Sequence, residues 1–281
     1  MTEKFLQVSD TPFIQLRHRF LTTKNPENKH RTIIIIPGWL GTIEERLPLA
    51  ESFLRFANVI IYEPRGYGKS SAPHKRKIWK LEYFAQDLAK IIEYYRLKEG
   101  EFYIWGSCVG AAIAFQYYLS KLGPKPKALL LASPQDKFKT KWWFNLFKWA
   151  PYFLLVAIEK IVVFFLELYL KMKNPEEVKN VKYAVRRFTE ADLYVQLRIL
   201  IELIHEYDIR DQKENLDLPI LVFSAQQDWF TLPENAKQFV TFHPQSMLIE
   251  LGNSHRIIDG NEMEIGNYIA TFIEKLEKNT P

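Results

Sequence analysis

Cys108 is the single cysteine of the chain, and Gly106 and Gly110 flank it two residues away on either side. Small residues at those places let a reactive side chain stand on a tight, strained corner between a strand and a helix, where a bulky neighbour would collide with one or the other. The residues around them fit such a corner. Phe102-Tyr-Ile-Trp105 is aromatic and β-branched, as a buried strand is, and Ala111-Ala-Ile-Ala114 continues as a small-residue helix. Ser107 is the competing nucleophile, but in its register the flanking positions are Trp105 and Val109, and a tryptophan there spoils the corner. A lone cysteine is also commonly just a small buried hydrophobe. The weight on Cys108 therefore depends on partners further along the chain.

The elements that must carry this corner follow from periodicity. Residues 4–8 and 13–21, separated by Asp10-Thr-Pro12, read as an antiparallel hairpin at a sheet edge. Thr32-Ile-Ile-Ile-Ile36 is a continuous apolar run, expected of a strand buried on both faces. A helix over 43–56 with Leu47, Leu49, Phe53, Leu54 and Phe56 on its apolar face leads to a strand over 58–62. An amphipathic helix over 79–96 carries Phe84, Leu88, Ile91, Ile92 and Tyr95, and precedes the strand 101–105, the helix 109–121 and a strand at 127–132. Strand and helix in alternation predict a mostly parallel sheet flanked by helices, an α/β fold. The basic loop 73–80 reads as a solvated rim, with a docking patch as the alternative.

The pattern small-x-nucleophile-x-small, with cysteine in place of the usual serine, resembles the nucleophile elbow of the α/β-hydrolase superfamily. Glu63-Pro-Arg65-Gly66-Tyr-Gly68-Lys-Ser70 is similar to that family's Asp-x-Arg-Gly-x-Gly-x-Ser turn, with Glu63 where Asp is common. The resemblance implies that the loop after the Ile33–Ile36 strand, Pro37-Gly38-Trp39, supplies an oxyanion donor from the Trp39 N–H, paired with the N–H of Val109. It also implies a catalytic acid in the loop after the strand at 218–224, which is Asp228, ahead of Pro233. The base falls in Gly252-Asn-Ser-His255 after the last strand, at His255, before a closing helix at 260–277. Nucleophile, acid and base then stand in the order that the α/β-hydrolases use.

From Ser133 to about Asp217 the alternation stops and helical character takes over. The resemblance implies a helical cap over 134–215, with the core formed by 1–133 and 216–281. Helices are expected at 176–188 and 190–206. Residues 151–170 are almost wholly apolar, but Glu159 and Lys160 near the centre argue against a transmembrane span. Three readings stand open for this stretch: a buried cap helix; a pocket for a hydrophobic acyl chain, with Trp142, Trp143, Phe153 and Phe164 binding substrate; or a helix lying on an anionic membrane, where tryptophans among lysines also fit.

A thiolate on Cys108 would be favoured by the positive end of the following helix, with His255 taking the proton. The expected chemistry is hydrolysis of an ester or thioester of a hydrophobic acid through an acyl-cysteine. Acyl transfer to another acceptor and a non-catalytic lipid-binding protein are the alternatives. An acyl-carrier protein or a CoA thioester is an expected partner, docking on 73–80 or 137–148. Composition sets the outer bounds. At 281 residues and 47% hydrophobic content the chain can bury a large core. The charge of +5 is not interleaved with aromatics along a groove-like basic run, which sets nucleic acid aside. No metal-ligand cluster or nucleotide loop is present, so no cofactor and no metal are expected. The N-terminus lacks an apolar signal-peptide core, and with a single cysteine this points to a cytoplasmic address.

Overall fold

The computed structural model describes residues 3–140, 142, 143, 146, 150, 151, 153, 154, 156–158, 160, 161, 164, 165, 168, 191–226, 228, 232–252 and 255–278. Eight strands form one sheet in the order β1-β2-β4-β3-β5-β6-β7-β8. They are β1 (Lys4–Asp10), β2 (Phe13–Leu21), β3 (Thr32–Ile36), β4 (Asn58–Tyr62), β5 (Phe102–Ser107), β6 (Ala128–Ala132), β7 (Ile220–Ser224) and β8 (Met247–Glu250). The β1–β2 hairpin pairs antiparallel at one edge and β2 joins β4 antiparallel, while every pairing from β4 to β8 is parallel. The α/β-hydrolase fold expected from the motifs is the fold observed.

Alternate residues of each central strand face opposite layers. Ile34, Ile36, Ile60 and Ile104 pack beneath α2 (Leu81–Tyr94) and α3 (Val109–Leu119). Ile33, Ile35, Ile61 and Trp105 pack beneath α1 (Ile43–Phe53) and the closing helix α6 (Glu262–Lys278). This two-sided burial is why the isoleucine run has no polar face. Helix α1 starts at a capping box between Thr42 and Glu45. Gly266 of α6 lies so close to Ser52 of α1 that a Cβ would meet its hydroxyl at 2.8 Å.

Between β6 and β7 lies the insert expected as a cap. Its described helix α4 (Leu193–Ile199) starts at Asp192, whose side chain accepts the Val195 N–H, and runs on as a π-helical turn over Leu200–Ile204. The helix expected at 190–206 is thus shorter at its start and changes pitch midway. The helix expected at 176–188 lies outside the described residues. Helix α5 (Pro233–Phe239) follows β7. In the basic loop, Lys75, Arg76 and Lys77 are exposed, while Trp79 is fully buried and anchors it.

The turn after β4 is fixed by buried charge. Glu63 is fully buried; its carboxylate accepts the Ile43 N–H at 3.0 Å, the Lys69 N–H at 2.7 Å and an Arg17 N–H at 3.0 Å. Arg65 forms a forked pair with the buried Asp87 at 2.7 and 2.6 Å, although burial pushes that carboxyl up against the pull of the guanidinium. Removing one partner strands the other. Arg65→Leu is therefore expected to cost about 3 kcal/mol or more of unfolding free energy, and the Arg65→Leu, Asp87→Leu double variant less than Arg65→Leu alone. Chemical denaturation of both decides it; equal losses would mean that Asp87 finds other solvation.

Candidate active site

Cys108, Trp39, Asp228 and His255 all follow the C-terminal ends of parallel strands. Cys108 comes directly after β5 and Gly38-Trp39 after β3, whose crossovers run to opposite sides, so the two loops meet at the topological switch point of the sheet. Cys108 has φ +50° and ψ −109° and is nearly buried. Its N–H donates to the Ala132 carbonyl at 2.9 Å, and its carbonyl accepts from Ala111 at 3.0 Å as α3 begins. A Cβ on Gly106 would sit 2.6 Å from the Gly110 carbonyl oxygen, and one on Gly110 would sit 2.4 Å from that of Ile36. Both glycines are therefore required by contact, as their spacing suggested.

His255 Nδ1 donates to Asp228 Oδ2 at 2.8 Å, and Cys108 lies near enough to the ring to influence its protonation. The structure thus brings together the three side chains picked out in the sequence. Asp228 is buried, and Ser133 Oγ donates to the same carboxylate oxygen at 3.3 Å. Ser133 holds φ +50° and Leu40, beside Trp39, holds φ +63°. Positive φ in non-glycine residues is uncommon and gathers at sites where the surroundings impose it. Three such residues border this site.

Burial alone would push the His255 imidazole down, but hydrogen bonds and charge from Asp228 and Cys108 outweigh it and raise His255 to about 10. The ring is then a cation at neutral pH. Val109 is the first residue of α3, so its N–H has no intrahelical acceptor. Gly38 lies against the corner: a Cβ there would meet the Ser107 carbonyl oxygen at 3.1 Å and Cys108 Cβ at 3.8 Å. Trp39 and Val109, the two residues expected to donate to an oxyanion, thus lie in the loop after β3 and at the start of α3, on either side of Cys108.

Other residues of the site gave no sign in the sequence. Gln196 of α4 is fully buried; its side chain accepts the Trp39 indole N–H at 2.9 Å and donates to the Gly66 carbonyl at 3.0 Å. Val195 and Ile199 close over Gly66 from the same helix, which leaves no room there for a side chain. Tyr67 is buried, its hydroxyl has no partner among the described residues, and burial pushes its phenol well above the ordinary range. By contrast Trp142, Trp143, Phe153 and Phe164 are 75%, 41%, 74% and 62% exposed. Side chains that open do not enclose an acyl chain, so the structure does not join these four to the site. An open groove of about 780 Å³ runs between the β1–β2 turn and α2, and none of the candidate catalytic residues lines it. Among the described residues no three His, Cys, Asp or Glu side chains converge as metal ligands.

A family model described as serine aminopeptidase, S33, matches residues 27–248. No curated relative matches the sequence. Among solved structures, the chain is similar to a hydrolase from Pseudomonas aeruginosa PA01 at 16% identity and a TM-score of 0.74, covering 97% of this chain and 98% of that one. It is similar to an esterase from Exiguobacterium antarcticum at 16% identity and 0.73, covering 97% and 100%. It is also similar to an enol-lactonase from Burkholderia xenovorans LB400 at 14% and 0.71, covering 96% and 100%.

A histidine raised on folding stabilises the fold fully below its ordinary value of 6.5, and that contribution fades as pH climbs through about 10. In a 15N-histidine spectrum His255 should remain cationic across neutral pH with its midpoint near 10. Asp228→Asn should lower that midpoint by more than about one unit, because burial then meets less opposition. A wild-type midpoint at or below the ordinary value would mean that the resting site holds a neutral ring.

Proposed function

Because the chain belongs to the serine aminopeptidase S33 family of hydrolases, we propose that it hydrolyses an ester or thioester of a hydrophobic acid, with Cys108 as nucleophile, His255 as acid and base, and Asp228 orienting the ring. The observation that carries this reading is the line from Cys108 through His255 to the buried Asp228. Cysteine stands where the family name implies serine, and the chemistry must be argued for sulfur. In the attacking form the pair is thiolate and imidazolium. The sulfur adds to the acyl carbon, the carbonyl π bond becomes an oxyanion, and the N–H groups of Trp39 and Val109 receive it. Each such donor is worth about 3 kcal/mol. Collapse breaks the bond to the leaving group, which takes the proton of His255 as it departs, and leaves an acyl thioester on Cys108. Water then gives a proton to neutral His255 and its oxygen to the acyl carbon. The acid departs and the thiolate and imidazolium are restored.

Sulfur also selects among substrates. A tetrahedral intermediate built on cysteine expels whichever group leaves more easily, and thiolate leaves more easily than an unprotonated amide nitrogen or an alkoxide. Productive collapse is therefore easiest for thioesters, and for an oxygen ester it depends on the proton that His255 gives to the leaving oxygen. The esterase and the lactonase among the structural relatives support an oxygen ester as one such substrate. The insert serves as a cap: α4 closes over Gly66 and holds Trp39 through Gln196, so it fixes the loop that presents the oxyanion donor.

Early-quenched incubation with p-nitrophenyl esters and acyl thioesters of graded length, read by intact mass, tests the nucleophile. One added acyl group on the wild type, absent from Cys108→Ala, is expected, together with a loss of roughly 10⁴-fold or more in kcat/KM. Labelling that survives in Cys108→Ala would sink the proposal. A second measurement addresses Gln196. Gln196→Leu leaves the indole N–H and the Gly66 carbonyl without their partner, and kcat should fall about tenfold or more with a smaller change in KM. The loss should be non-additive with Trp39→Phe. Additive losses would detach Gln196 from the oxyanion loop.

A further inference from the structure

Nine of the seventeen large hydrophobic side chains exposed among the described residues lie between 142 and 168, although that stretch is a tenth of the chain. The described positions from 153 to 168 are helical. Phe153, Ala157, Ile161, Phe164 and Leu168 repeat at three and four residues, so they form one row along a helix, and all five are exposed. Val156 and Ile158, on other faces, are less exposed. Phe164 and Phe165 make an edge contact with ring centroids 5.6 Å apart, still open to solvent. A contiguous apolar surface of this kind marks a place where something docks.

Charge tells what docks. Residues 137–173 carry seven lysines against two glutamates, an excess as large as the +5 of the whole chain. No acidic residue occurs between Lys137 and Ile158. Lys139 and Lys160 are exposed, while Lys137 is engaged by Asp208 at 2.9 Å. Two copies meeting through this surface would set one lysine-rich patch against its like, which opposes self-association. Tryptophans among lysines beside an apolar row match the boundary between headgroups and acyl chains, where aromatic rings and lysine stems are both at home. Among the described residues no helix is long and apolar enough to cross a membrane.

We propose that the insert is a membrane-docking surface, with the row from Phe153 to Leu168 seated at the boundary between headgroups and acyl chains of an anionic phospholipid bilayer and the flanking lysines on lipid phosphates. The proposal rests on no reading of the chemistry at Cys108, and its test needs no substrate.

Flotation of the full chain with vesicles of phosphatidylcholine, with and without phosphatidylglycerol, tests it. The protein should float with the anionic vesicles and be released several-fold as salt rises. Phe153→Ser combined with Phe164→Ser changes two open side chains, so circular dichroism and melting should match the wild type, while vesicle binding falls about tenfold or more. Lys139→Glu with Lys160→Glu should weaken binding to anionic vesicles only. The proposal is overturned if the wild type floats with neither vesicle, if it binds neutral and anionic vesicles equally, or if the serine variant binds as well as the wild type. Light scattering that shows a dimer in the wild type and a monomer in the serine variant would also overturn it, by assigning the row to a second copy.

Discussion

Cys108 holds φ +50° and ψ −109°, a conformation that an L-residue keeps only where its neighbours leave no other, at a cost of about 1–3 kcal/mol. Two close approaches impose it. The backbone of β3 runs against Gly110, and Gly110 runs against Gly106, each nearer than a Cβ allows. The strand register makes those approaches possible, since Ile36 of β3 stands opposite Gly106 of β5. The isoleucine run buried on both faces keeps β3 central and flat against its neighbours. The corner that carries Cys108 therefore depends on the backbone contacts at Gly106 and Gly110 and on the core beneath them.

Burial then sets the electrostatics. Asp228 is withdrawn from water and meets His255 on one side and the Ser133 hydroxyl on the other. A buried carboxylate favours a positively charged partner over a neutral one, and the His255 ring lies against it at 2.8 Å. That is why His255 is raised although its own burial works in the opposite direction. Under the proposed mechanism this same poise supplies a proton to the leaving group at neutral pH. The chemistry and the folding energetics draw on one interaction.

The sequence was most informative where a requirement is local. The glycines at 106 and 110, the apolar alternation between layers, and the turn glycines 66 and 68 with φ +77° and +48° all answer to neighbours a few residues away. The strands fell within two residues of their expected places. Gln196 was invisible because nothing near it in the chain is its partner: Trp39 is 157 residues away and Gly66 is 130. Glu63 was legible as a variant of a turn motif, but not as the group that joins α1, Arg17 and the Lys69 backbone. For Trp142, Trp143, Phe153 and Phe164, all exposed, apolar content left the role open, since hydrophobicity says that a side chain seeks cover and not which surface provides it.

That ambiguity bears on how the insert and the core communicate. Helix α4 touches the site through Gln196 and Gly66 and is itself tied to the basic loop, where His74 pairs with Asp192 at its N-cap. The helix continues as a π turn over Leu200–Ile204, a geometry that departs from the ordinary ladder and recurs at functional positions. Glu202 of that turn and Arg198 of α4 form a buried pair at 3.5 Å, and burial raises the glutamate despite the guanidinium beside it. Val195, Ile199 and Leu203 are fully buried in the main core, so α4 and the turn it covers are packed together as well as hydrogen-bonded. Gln196 accepts from the indole of Trp39. A displacement of α4 that opened the insert would therefore move the loop that bears the proposed oxyanion donor.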